Sequence, residues 1–79
     1  MSAFAEKKME ISPEELIKIQ AYLRSKFDND DIAVRPRSQT ADSIEVLLKG
    51  EFIGIVYKDE DEGETSYDFN MAILDIDLQ

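Results

Sequence analysis

The chemistry open to this chain is limited by the absence of histidine and cysteine from its 79 residues. Histidine is the usual general base near neutral pH, and cysteine is the strongest common nucleophile and a thiolate ligand for metals. The serines have no base nearby in the sequence, and Ser12 is positioned to cap a helix instead. We therefore expect no enzymatic activity, no catalytic residue and no cofactor.

An acidic run around Gly63 is the densest set of side chains that could bind a ligand. Carboxylate oxygens are the ligands that Ca²⁺ and Mg²⁺ prefer. Asp59 and Asp61, followed by Gly63, resemble the start of an EF-hand loop, but the glycine comes one residue early and no helices flank it. Two interpretations stay open, a solvated loop between strands and a divalent-cation site. The candidate ligands are Asp59, Asp61, Glu62 and Glu64.

The net charge of −9 comes from one half of the chain. Residues 39–79 carry eleven acids and two bases, whereas residues 1–38 carry seven of each. A surface of this sign repels phosphate and anionic lipid, so we expect neither nucleic acid nor membrane as a partner. An acidic surface favours a cation or a basic protein surface as the partner. In the second case the protein would act as an acidic mimic of nucleic acid. Solubility alone is the simpler explanation.

The N-terminal residues and the hydropathy pattern indicate a cytoplasmic protein. No stretch approaches the roughly 20 apolar residues of a membrane-spanning helix. Residues 1–10 lack the apolar core of a signal peptide, and a chain without cysteine has no disulfide framework. Residues 1–11 show no clear period and predict a flexible lead-in to a single domain over residues 12–79.

A helix is predicted over residues 13–27. Ser12 is the N-cap, Pro13 occupies the first helical position, and Glu15 completes a capping box. Apolar side chains recur at helical spacing and predict one core-facing stripe. The stripe consists of Leu16, Ile19, Leu23 and Phe27.

Residues 43–58, SIEVLLKGEFIGIVYK, predict a β-hairpin. A two-residue loop at Gly50-Glu51, with glycine first, has the composition of a type II′ turn. Counting outward from that loop predicts one apolar face for the core. That face contains Ile44, Val46, Leu48, Ile53, Ile55 and Tyr57, and the opposite face contains Leu47, Phe52 and Val56.

Two further strands complete the predicted sheet. Residues 32–35 alternate before Pro36, which cannot donate to a strand ladder, so this strand either lies at a sheet edge or ends at the proline. A last strand starts near Ser66, brings Phe69 and Met71 to the core face, and changes its alternation after Ile73. We therefore predict an α+β fold in which one N-terminal helix packs on a four-stranded antiparallel meander sheet.

One helix can cover only one face of such a sheet, which leaves a second apolar surface. Its members are Leu47, Phe52, Val56, Leu74, Ile76 and Leu78. Exposed apolar surface of this extent is typical of a protein interface, most simply a twofold homodimer through second sheet faces or C-terminal strands. The alternative is that the tail folds back and buries the patch within one chain.

Three segments resemble a family of short bacterial proteins that is known only as a domain of unknown function. They are KIQAYLRSKF at residues 18–27, GEFIGIVYKDEDEG at residues 50–63 and FNMAILDIDL at residues 69–78. The resemblance covers residues 14–78 and implies a small cytoplasmic bacterial protein. It carries no catalytic residue, cofactor or partner over to this chain.

Overall fold

The computed structural model describes residues 10–38 and 40–79, in which one helix precedes a four-stranded antiparallel sheet. The strands lie side by side in chain order, so the sheet is a meander and the predicted fold class is confirmed. The elements are α1 at Pro13–Phe27, β1 at Ile32–Pro36, β2 at Ser43–Leu48, β3 at Glu51–Asp61 and β4 at Glu64–Asn70.

The start of α1 has the predicted capping box. Ser12 Oγ accepts a hydrogen bond from the Glu15 N–H at 3.1 Å, and Glu15 Oε1 accepts one from the Ser12 N–H at 2.9 Å. Most of the predicted lead-in, residues 1–9, lies outside the described residues. Ile11 is already part of the folded domain, because it packs against the core and its N–H donates to the Ala41 carbonyl at 2.8 Å.

The β2–β3 turn differs from the prediction by one residue. The two loop residues are Lys49-Gly50, with φ angles of 53° and 82°, and Leu48 pairs with Glu51. Two consecutive positive φ angles make a type I′ turn, whereas the prediction was a type II′ turn at Gly50-Glu51. The position of the turn and a β-bulge in β3 together shift the register, so Ile44 faces Val56 rather than Tyr57.

A β-bulge follows in β3. Val46 pairs with Gly54 and Leu47 pairs with Phe52, which leaves Ile53 as an extra residue that packs against the core. In the part of β3 that follows the bulge, the alternation of side chains places Val56 on the core face. The prediction had assigned Ile55 and Tyr57 to that face, so it was wrong at these three positions.

The core lies between α1 and one face of the sheet. Phe69 of β4 packs against it across Gly54, where a Cβ would lie 2.5 Å from the Asn70 carbonyl oxygen. Phe27 and Met71, both predicted for the core, are more than half exposed because they lie at the end of α1 and beyond the end of β4. The buried cluster is Leu23, Ile32, Val34, Ile44, Val46 and Val56.

Side chains of α1 cover the outer edge of β1. Gln20 Oε1 accepts a hydrogen bond from the Val34 N–H at 3.1 Å, and Arg24 Nε donates to the Ile32 carbonyl at 2.6 Å. Both side chains lie one helical turn apart, so they reach successive outward-facing groups of the strand. These bonds satisfy main-chain groups that an edge strand otherwise leaves unpaired.

Glu15 joins the start of α1 to β3 and β4. Its carboxylate lies 2.9 Å from the Lys58 ammonium and accepts a hydrogen bond from the Tyr67 hydroxyl, in addition to the capping bond from Ser12. Lys58 also donates to the Glu10 carbonyl at 3.0 Å, and only 9% of its side chain is exposed. One carboxylate therefore both caps the helix and fixes it to the far half of the sheet.

These contacts shift two pKa values in opposite directions. Burial alone raises the pKa of the Glu15 carboxyl. The hydrogen bonds from the Ser12 main chain, Tyr67 and Lys58, together with the Lys58 charge, outweigh burial and lower that pKa to about 2. The bond to Glu15, followed by burial and by the charges of Glu15 and Glu60, raises the pKa of Tyr67 to about 12.

We predict that Glu15→Gln lowers the free energy of unfolding at pH 7 by roughly 1 to 3 kcal/mol, because it removes an ionised acceptor of several hydrogen bonds. The folded pKa lies below the usual value of 4.5, so the Glu15 contribution is complete above pH 4.5 and is lost as the pH falls toward 2. Urea unfolding of both proteins at several pH values measures this difference.

Glu14→Gln is the matched control, since Glu14 is an exposed acid in the same helical turn. It changes the charge equally without removing the contacts to Lys58 and Tyr67. A difference between the parent and Glu15→Gln that stays constant from pH 7 to pH 2, or an equal loss in Glu14→Gln, would show that the carboxylate network does not stabilise the fold.

Candidate functional site

The C-terminal segment, residues 71–79, leaves the sheet after Asn70 and carries apolar side chains on its surface. It ends in one turn of 3₁₀ helix at Asp75–Leu78, and the Asp77 carboxylate accepts a hydrogen bond from the Leu74 N–H at 3.0 Å. Every residue of the segment is exposed. The exposed large apolar side chains are Met71, Ile73, Leu74, Ile76 and Leu78.

Three predicted interface residues therefore lie on the surface. The exposed fractions are 59% for Leu74, 71% for Ile76 and 75% for Leu78. The alternative, in which the tail folds back over the sheet of its own chain, would have buried them. The segment instead leaves these three apolar side chains more than half exposed.

The three predicted interface residues of the sheet do not form one patch. Phe52 is half-exposed, Leu47 is buried with 7% exposed, and Val56 lies in the core on the other face. The assignment of Val56 to the second face was wrong because the bulge at Ile53 reverses the alternation of the β3 residues that follow it. Only Phe52 of these three residues offers substantial side-chain surface.

The acidic run is a strand ribbon with a tight turn. Asp59 and Asp61 belong to β3, Glu64 opens β4, and Glu62 and Gly63 form a second turn with φ angles of 52° and 82°. Within residues 10–38 and 40–79, no three acidic side chains are grouped so that they could hold one metal ion. The candidate ligands instead line a depression at the end of the ribbon, together with Ser66.

A groove of about 530 Å³ lies between α1 and β4. Its walls are mostly apolar, with Ile19 and Tyr22 on the helix and Tyr67 and Phe69 on the strand, and Glu15 also lines it. The sequence pattern did not predict this groove, because its shape depends on how far α1 reaches across the sheet. The groove follows the inner side of β4, next to the open edge of the sheet.

No described helix is both long and apolar enough to cross a membrane. Comparison with curated proteins and with solved structures finds no match to this chain. A family model does match, over residues 15–77, and its description is "Protein of unknown function (DUF3126)". The match extends from the first turn of α1 through most of the C-terminal segment, and it confirms the family resemblance seen in the sequence. The chain belongs to this family of proteins of unknown function.

Proposed function

We propose that this protein is a non-catalytic protein–protein interaction module that forms a homodimer through its C-terminal segment. The exposure of that segment carries the proposal. Five large apolar side chains within nine residues lie more than half exposed, beyond the last strand. Soluble monomers seldom expose large contiguous apolar patches, and such patches mark sites of association.

The segment is part of the domain rather than an appendage to it. The family match continues to residue 77 and so includes Leu74 and Ile76. Acidic residues Asp75 and Asp77 alternate with the apolar ones, which keeps the segment soluble before it binds. A twofold contact occurs twice in each dimer, so the apolar segment of each subunit can contribute to it.

We predict that Leu74→Asp dissociates the dimer without unfolding the chain. Burying a leucine stabilises a contact by about 1.5 to 3 kcal/mol, and the loss occurs in both subunits, so the dissociation constant should rise at least tenfold. Sedimentation equilibrium over a range of protein concentrations measures the constant. Circular dichroism at 222 nm checks that α1 remains intact.

Gln79→Asp is the matched control, because it adds the same charge at an exposed polar position of the segment. It should leave the dissociation constant nearly unchanged. A parent protein that stays monomeric at millimolar concentration, or a dimer that Leu74→Asp does not weaken, would refute the proposed function.

A further inference from the structure

The two edge strands of the sheet differ in how their outward-facing main-chain groups are hydrogen-bonded. The outer edge of β1 receives side-chain hydrogen bonds from Gln20 and Arg24. The outer edge of β4 receives no main-chain hydrogen bond from any residue in the ranges 10–38 and 40–79. β4 also contains no lysine and no proline, which are the residues that usually protect an exposed edge from pairing.

The turn at Glu62-Gly63 defines which groups of β4 point outward. A two-residue hairpin is closed by a pair that exchanges both main-chain hydrogen bonds, here Asp61 and Glu64. Bonding then alternates along an antiparallel pair, so every second residue of β4 from Glu64 onward faces β3. The N–H and C=O groups that face away from the sheet are those of Thr65, Tyr67 and Phe69.

We propose that β4 of one subunit pairs antiparallel with β4 of the other across a twofold axis at Tyr67, which makes one continuous eight-stranded sheet. This inference rests on the proposed homodimer and specifies its geometry. Tyr67 would exchange hydrogen bonds with Tyr67 of the partner subunit, and Thr65 with Phe69 of the partner subunit. All the outward-facing main-chain groups of β4 are satisfied in this register.

Repulsion between acidic side chains favours this register over the other registers in which the two β4 strands could pair. With the axis at Tyr67, Glu64 lies opposite Asn70 of the partner subunit, and Asp68 lies opposite Ser66 of the partner subunit. No two acids face each other across the pair. The β4 sequence ETSYDFN is therefore self-complementary about its central tyrosine.

The two adjacent symmetric registers both oppose like charges. An axis at Ser66 puts Glu64 opposite Asp68 of the partner subunit, and an axis at Asp68 puts the two copies of Asp68 opposite each other. Directly opposed like charges destabilise a strand pair. If one β4 strand is moved by one residue along the other, Thr65, Tyr67 and Phe69 lie opposite residues whose main-chain groups face β3 of their own subunit. The hydrogen bonds between the two β4 strands cannot then form.

The pairing also brings the other exposed surfaces to the interface. Asn70 meets Glu64 of the partner subunit, so each C-terminal segment leaves the sheet beside the acidic turn of the other copy. Tyr67 and Phe69 line the groove between α1 and β4, so the two grooves meet at the twofold axis. The pairing therefore satisfies the open edge of β4 and brings the start of each apolar segment next to the partner subunit.

Cysteine cross-linking tests the register, because the chain contains no natural cysteine. Ser66→Cys and Asp68→Cys variants are prepared separately, then mixed and oxidised at a concentration where the parent is dimeric. In the proposed register these two positions face each other with a Cα separation of about 4.5 Å, within disulfide reach. Identical positions are diagonal neighbours at roughly 7 to 8 Å, beyond that reach.

The expected result is a disulfide-linked dimer in the mixture and little in Ser66→Cys alone, which keeps both acids of β4. Linkage in Ser66→Cys alone that equals the linkage in the mixture would indicate the register with its axis at Ser66 and overturn the proposal. No linkage in a sample that sedimentation shows to be dimeric would refute β4 pairing and leave the proposed homodimer standing. A monomeric parent would refute both.

A charge substitution that needs no oxidation gives a second test. Asn70→Glu should raise the dissociation constant roughly three- to tenfold, because it opposes Glu64 of the partner subunit twice in each dimer. Asn70→Lys should lower the constant, and Asn70→Gln is the uncharged control. Within its own chain residue 70 pairs with Ile55, so the ladder opposes no charge to it there. Equal constants for Asn70→Glu and Asn70→Lys at low salt would contradict the register.

Discussion

A single helix of 15 residues has to shelter a four-stranded sheet, and this constraint determines the rest of the molecule. The helix lies toward β1, where Gln20 and Arg24 satisfy the main chain of the edge strand. The core is therefore concentrated over the first three strands. β4 is exposed at nearly every residue, and so is every residue from 71 to 79.

The position of the helix is held by polar contacts as well as by the core. At the start of α1, Glu15 reaches across to Lys58 and Tyr67, while Gln20 and Arg24 hold β1 in the next two turns. Contacts at both sides of the sheet prevent the helix from sliding over β4. A groove therefore remains beside the last strand, whose outer edge receives no main-chain hydrogen bond from the described residues.

Local sequence signals predicted the elements well and their register less well. Ser12, Pro13 and Glu15 identified the helix start, and alternation identified the strands. The prediction of the β2–β3 register was wrong for two reasons. Lys49 adopts a φ of 53°, which residues other than glycine and asparagine seldom do, and Ile53 forms a bulge. That error misplaced Val56. The sequence left open whether the apolar tail is exposed or folds back over its own sheet. The groove and the unequal edges depend on where the helix packs, which no local pattern contains.

Amide hydrogen exchange along β4 tests the central claim most directly. NMR spectra recorded well below and well above the dissociation constant compare the monomer with the dimer. The account predicts that the amides of Thr65, Tyr67 and Phe69 exchange fast in the monomer and become protected in the dimer, while those of Ser66 and Asp68 are protected in both. Unchanged exchange at the three outward amides, in a sample whose mass has doubled, would contradict it.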